Sequence, residues 1–172
     1  MKKRLCGGHS KMMYQSYYKN KSEYVEKVAL ELRAHLDNVE TKTQINEVHK
    51  LHAKSQSIQK IFEPFLVEKG FVSEKKGLFE SYRLRPDLFN SELGIIVEVE
   101  RGRIKSNNMH LLDIWKCHLA TQANHLFLII PIERHRTNDK PEKIFDYVSE
   151  VISSFFVEGN YINIDSCYIF GY

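Results

Sequence analysis

The run Leu126-Phe127-Leu128-Ile129-Ile130 holds five apolar residues with no polar alternation. Successive side chains of a strand point to opposite faces, so a strand with one wet face alternates. A strand apolar at every position is covered on both sides, the habit of parallel sheets enclosed by helices. This segment therefore calls for a layered α/β architecture. Its companion is Ile95-Ile96-Val97-Glu98-Val99-Glu100, and between the two lies a helix from about Met109 to Gln122 with Leu111, Leu112, Trp115 and Leu119 as its apolar stripe. Strand, helix and strand in that order predict a right-handed crossover with the two strands parallel, and Trp115 is expected in the core.

Upstream, Val25, Val28, Ala29, Leu32 and Leu36 recur at helical spacing and predict a helix over 21–38. A second helix is expected from a Thr41 cap, through Ile45, Val48, Ile58 and Phe62, to a stop at Gly70, with Pro64 kinking it or starting a last turn. Residues 70–72, 78–84 and 85–89 read as extended segments, and Asn90 to Gly94 as a turn. A helix from Pro141 to Val157 and a strand from Tyr161 to Phe170 complete the chain. No linker or repeat divides these elements. The expectation is one domain over 1–172, with an N-terminal helical region (1–70) and an α/β core (71–172) built on a central mixed sheet flanked by helices.

A chain of 172 residues buries enough surface to fold without staples, and Cys6, Cys117 and Cys167 are too scattered for a disulfide framework or a zinc knuckle. No stretch reaches the roughly 20 apolar residues that cross a bilayer, so no membrane partner and a cytoplasmic location are expected. No Gly-rich phosphate loop or dinucleotide fingerprint occurs, and no nucleotide cofactor is expected. Charge is uneven: residues 1–86 carry 17 basic and 10 acidic side chains, residues 87–172 carry 8 and 12. A positive region suits a polyanion and also suits an ordinary wet helix face.

The acidic residues of the core carry chemistry. In the strand from Ile95, side chains 95, 97 and 99 face one way and Ile96, Glu98 and Glu100 the other, so two carboxylates project from one face about 7 Å apart. Burying an unpaired carboxylate costs several kcal/mol, so this face needs a counter-ion, either a hard divalent cation or nearby arginines. Mg2+ takes oxygen ligands and only one or two protein carboxylates. Asp87, across the Asn90 to Gly94 turn, supplies a third oxygen group if the two segments pair as a hairpin.

Pro86-Asp87, ten intervening residues, then Glu98-Val99-Glu100 closing a hydrophobic strand, followed by a helix and another hydrophobic strand, resembles the PD-(D/E)xK nuclease superfamily, which includes type II restriction endonucleases. The resemblance spans about Phe71 to Pro131. It implies a restriction-endonuclease-like core and a Mg2+- or Mn2+-dependent DNA endonuclease leaving 5'-phosphate and 3'-hydroxyl ends. By the same resemblance Asp87 and Glu98 hold the metal with the Val99 carbonyl, and Asp87, Glu98 and Glu100 are the catalytic acids. Glu100 stands where the motif lysine usually sits. Lys105 or Lys116 is available to supply the missing charge, and Glu80 is an auxiliary acid.

Arg101, Arg103, Lys105, Asn107 and Asn108 follow the acidic strand and can contact phosphates or base edges of DNA, or else neutralise Glu98 and Glu100. Lys42, Lys50, Lys54 and Lys60 give the second helix a basic face, while His49 and His52 lack a third ligand for zinc. Cutting a palindrome requires a homodimer, with the N-terminal helices as the expected interface. Two alternatives stand beside the restriction-like enzyme: a nuclease for branched DNA, and a catalytically inactive nucleic-acid-binding or protein-interaction module on the same fold.

Overall fold

The computed structural model of the chain describes residues 12–50, 54–73, 78, 84–101, 104–105, 107–134 and 140–172. Glu80, Arg103, His52, His135 and most of the expected segment 78–84 lie outside the described residues. The elements in order are β1 (Met13–Tyr18), α1 (Glu23–Asp37), α2 (Val39–Val48), α3 (Ser55–Glu68), β2 (Leu88–Asn90), β3 (Ile95–Val99), α4 (Met109–Leu119), β4 (His125–Ile130), β5 (Glu133–Arg134), β6 (Glu142–Lys143), α5 (Ile144–Ser153) and β7 (Ser166–Gly171).

Five strands form one mixed sheet in the order β1-β7-β4-β3-β2. β3, β4 and β7 are parallel, so the crossover through α4 joins parallel neighbours as its sequence requires. The antiparallel strands β1 and β2 form the two edges. Both faces are covered. Ile95, Val97, Val99, Phe127 and Phe170 meet Val25, Leu32, Ile58 and Phe62 of α1 and α3 on one side. Ile96, Leu126, Leu128, Ile130 and Ile169 meet Ile114 of α4 and Ile144, Val148 and Ile152 of α5 on the other. The unbroken apolar run of β4 is fully buried, the consequence of having a helical layer on each face.

The N-terminal region departs from expectation in two places. β1 precedes the helices and pairs with β7 along all six of its residues, which MYQSYY does not signal because its side chains pack on both layers, Tyr14 on one and Met13 and Tyr17 on the other, and leave no clear alternation. The long second helix is two: α2 ends at His49 and α3 begins after Lys54. No glycine or proline marks that break. What sustains it is tertiary, since the Arg101 guanidinium donates to the Lys50 carbonyl and His49 meets Tyr172 edge-on, 5.3 Å between ring centres. Three helices therefore stand where two are expected. Pro64 lies within α3, and Gly70 ends it at φ +84°, with Phe71 N–H donating to the Leu66 carbonyl.

The face that α4 presents to the sheet is the opposite of its apolar stripe. His110, Asp113, Ile114, Lys116 and Cys117 are buried, whereas Trp115, Leu112 and Leu119 are exposed. The expected core position of Trp115 is thereby corrected. The reason lies on the sheet: β3 sends Glu98 into the layer beneath α4, and a buried carboxylate demands a partner that leucine and tryptophan cannot provide.

Candidate functional site

The site forms where β2 and β3 separate. Asn90 closes the hairpin between them, its Oδ1 accepting from Leu93 N–H at 2.9 Å and its Nδ2 donating to the Lys69 carbonyl at 3.0 Å. The register pairs Asn90 with Ile95 and Leu88 with Val97. Carried two residues on, the same register sets Pro86 against Val99. Proline has no N–H to give to the Val99 carbonyl, so the ladder stops there. Val99 N–H donates instead to Asp87 Oδ2 at 2.8 Å. The proline-aspartate pair thus ends β2 and delivers a carboxylate to the end of β3 in one step.

Glu98, one residue earlier on β3, is 3% exposed and faces α4. Lys116 Nζ donates to Glu98 Oε1 at 2.7 Å and to Asp113 Oδ1 at 3.0 Å. Asp113 and Lys116 sit three residues apart on one turn of α4, the spacing that brings both heads to the same point. Asp113 is fully buried, and among the described residues its second oxygen, Oδ2, has no hydrogen-bond partner. Glu100 follows immediately after β3 and is partly buried. Its N–H donates to the Ile129 carbonyl at 2.9 Å and its carbonyl accepts from the buried Tyr172 hydroxyl at 3.2 Å.

The electrostatics follow from this geometry. Burial raises the pKa of all four carboxyls. Glu98 is held well above the usual carboxylate range by burial and by the Asp113 charge, against the pull of Lys116. Glu100 rises to about 8, chiefly by burial and then by Asp113. Asp113 rises to about 6 through burial, opposed by Lys116. Asp87 rises less freely because the Val99 N–H favours its charged form. Lys116 is pushed upward, as its two acidic partners outweigh the cost of burying its ammonium. Among the described residues, four carboxyls thus share one buried ammonium.

Of the residues named from the sequence, Asp87 is joined to Val99 and Lys116 to Glu98, and Glu100 follows directly after β3. Glu98 pairs with Lys116. Of the remaining expected residues, Lys105 lies 3.5 Å from Glu142 and over the Tyr147 ring at 4.4 Å, and Arg101 reaches the Lys50 carbonyl. Asn107 and Asn108 are exposed, with Asn108 in the left-handed region at φ 51° where α4 begins. Asp113 escapes sequence reading, because as a single acid among Leu112, Ile114 and Trp115 it looks like the wet edge of an apolar helix. The signal that could have found it is its three-residue spacing from Lys116.

Among the described residues no three His, Cys, Asp or Glu side chains are grouped closely enough to hold a metal ion by themselves. Mg2+ asks for fewer, one or two carboxylates completed by carbonyl and water oxygens. Asp87, Glu98 and the Val99 carbonyl offer hard oxygen donors of that kind, beside the unpartnered Asp113 Oδ2. The donor chemistry therefore fits Mg2+ or Mn2+ and excludes a thiolate-type site. No protein-family model, curated protein or solved structure matches the chain.

Proposed function

We propose that the chain is a Mg2+-dependent DNA endonuclease built on a restriction-endonuclease-like core. The observation that carries this reading is the excess of acid at one sheet end: Asp87, Glu98, Glu100 and Asp113 around the single ammonium of Lys116. Such a cluster costs stability, and strongly raised carboxyls gathered with one charge partner are the pattern functional sites use. Asp87, Glu98 and the Val99 carbonyl would hold the ion, which supplies charge stabilisation and an acidified water when bound.

The chain's own groups do the rest. Lys116, fixed from two sides by Glu98 and Asp113, presents a positive charge to the scissile phosphate and so takes over the task for which Glu100 has the wrong sign. Glu100 orients the attacking water and accepts its proton at a carboxylate oxygen. Asp113 acts through Lys116 as a positioning residue. Asn107, Asn108 and Lys105, in the loop that opens α4, are the groups this reading assigns to the phosphate backbone.

The test is incubation with mixed DNA substrates and Mn2+ or Mg2+. Asp87→Asn keeps an oxygen to accept from Val99 N–H, so it is expected to fold and melt like the parent while losing cleavage. Cleavage that survives in Asp87→Asn overturns the reading. A second reading rests on the 2.7 Å Lys116–Glu98 pair, which neutralises one metal acid without any ion: a DNA-binding or protein-interaction module with no catalysis. A melting scan separates the two, since millimolar Mg2+ or Ca2+ raises the midpoint of the first and leaves the second unmoved.

A further inference from the structure

We propose that the outer face of α4 is the interface of a twofold dimer of this chain. Leu112, Trp115 and Leu119 stand at the 3- and 4-residue spacing of a helix–helix seam and are 37%, 55% and 45% exposed. Three large apolar side chains in one stripe are not scattered surface hydrophobics. Trp115 is held with its ring edge-on to His118, 5.8 Å between ring centres.

What covers this stripe follows from its charge and its symmetry. The two charged residues of α4, Asp113 and Lys116, are both turned inward, so the outer face of the helix carries no formal charge. A nucleic-acid backbone binds through cations, and this stripe offers none. An isologous contact sets each residue against a copy of the same patch, which a charged face resists and a neutral one permits. The pattern also reads alike in both directions. From Trp115 outward along the helix it runs to leucine on either side, at 112 and at 119. Two antiparallel copies of α4 crossing at Trp115 would set tryptophan against tryptophan and Leu112 against Leu119. Depletion of charge with tryptophan at the centre is the composition of an interface core.

This inference does not depend on the nuclease reading, and it moves the expected interface from the N-terminal helices to α4. The experiment is sedimentation or light scattering over roughly 1 to 100 µM chain, a range that brackets a weak dimer. The parent is expected to show twice the mass of one chain, and Trp115→Glu the mass of one chain with an unchanged circular dichroism spectrum and melting temperature. Leu119→Lys is expected to do the same and serves if Trp115→Glu fails to fold. A parent that is monomeric throughout, or a dimer that survives both substitutions, overturns the proposal. So does a monomeric parent whose DNA binding is lost in Trp115→Glu, which would give the stripe to nucleic acid.

Discussion

Replacing Lys116 by Met tests the electrostatic account of the site directly. Methionine fills nearly the same volume and removes only the ammonium, leaving Glu98 and Asp113 buried without the partner that now stands 2.7 and 3.0 Å away. Breaking one side of a buried ion pair costs about 3–5 kcal/mol. For 172 residues the unfolding entropy is about 0.36 kcal/mol per kelvin, so the melting temperature should fall by about 8–14 °C near neutral pH. The loss must depend on pH in a definite direction. Carboxyls whose folded pKa is raised favour the protonated fold: their contribution is present in full below the unfolded value near 4 and disappears as pH rises through the folded value. Asp113 already lies at about 6 with the lysine in place, and removing that ammonium can only raise it. The deficit of Lys116→Met should therefore be small at pH 4–5 and full at pH 8. Calorimetric melts of both proteins across that range decide the matter. A deficit independent of pH, or largest in acid, would mean that Lys116 contributes by packing and that the proposed charge balance is wrong.

Two further outcomes follow from the same groups. Glu100→Gln should flatten the parent's own decline, because Glu100 at about 8 withdraws its stabilisation as pH climbs from roughly 4.5 to 8; melting temperature against pH for both proteins measures it. The triple change Glu98→Leu, Asp113→Leu, Lys116→Met should remain folded, with stability unchanged or higher by about 1–4 kcal/mol in urea titration, since well-packed apolar side chains commonly replace a buried ion cluster without loss. A triple variant that unfolds would assign the cluster to stability and remove its main claim to function.

What the sequence disclosed depended on whether the deciding force was local. The buried strand β4 and the parallel β3–β4 pair were legible because alternation and its absence are properties of a few adjacent residues. Gly70 was legible as a helix stop for the same reason, a single residue free to take φ +84°. The return of Asp87 to the end of β3 was legible because the Asn90 to Gly94 turn brings the two segments back together. β1 and the break between α2 and α3 were not, since each is held by a distant part of the chain: β7 pairs with the first, and Arg101 and Tyr172 brace the second.

The orientation of α4 shows where such local reading reverses sign. Apolar periodicity assigns the leucine and tryptophan stripe to the core because burying apolar area is usually the largest favourable term, about 1.5–3 kcal/mol for each large side chain. That arithmetic assumes an apolar surface on the other side. Here the facing strand carries Glu98 at 3% exposure, and an unpaired carboxylate in that position costs several kcal/mol on its own. Turning the stripe inward would carry Lys116 away from Glu98 and leave that carboxylate unpaired beneath an apolar layer. The helix therefore turns Asp113 and Lys116 to the sheet together with Ile114 and Cys117, and leaves Leu112, Trp115 and Leu119 facing away. One rotation about the axis of α4 accounts both for an ammonium at the acidic end of β3 and for an exposed tryptophan awaiting a partner. The same inversion also explains why Asp113 was invisible to periodicity: in a helix whose two faces have exchanged roles, the residue that looks most solvated is the one most deeply enclosed.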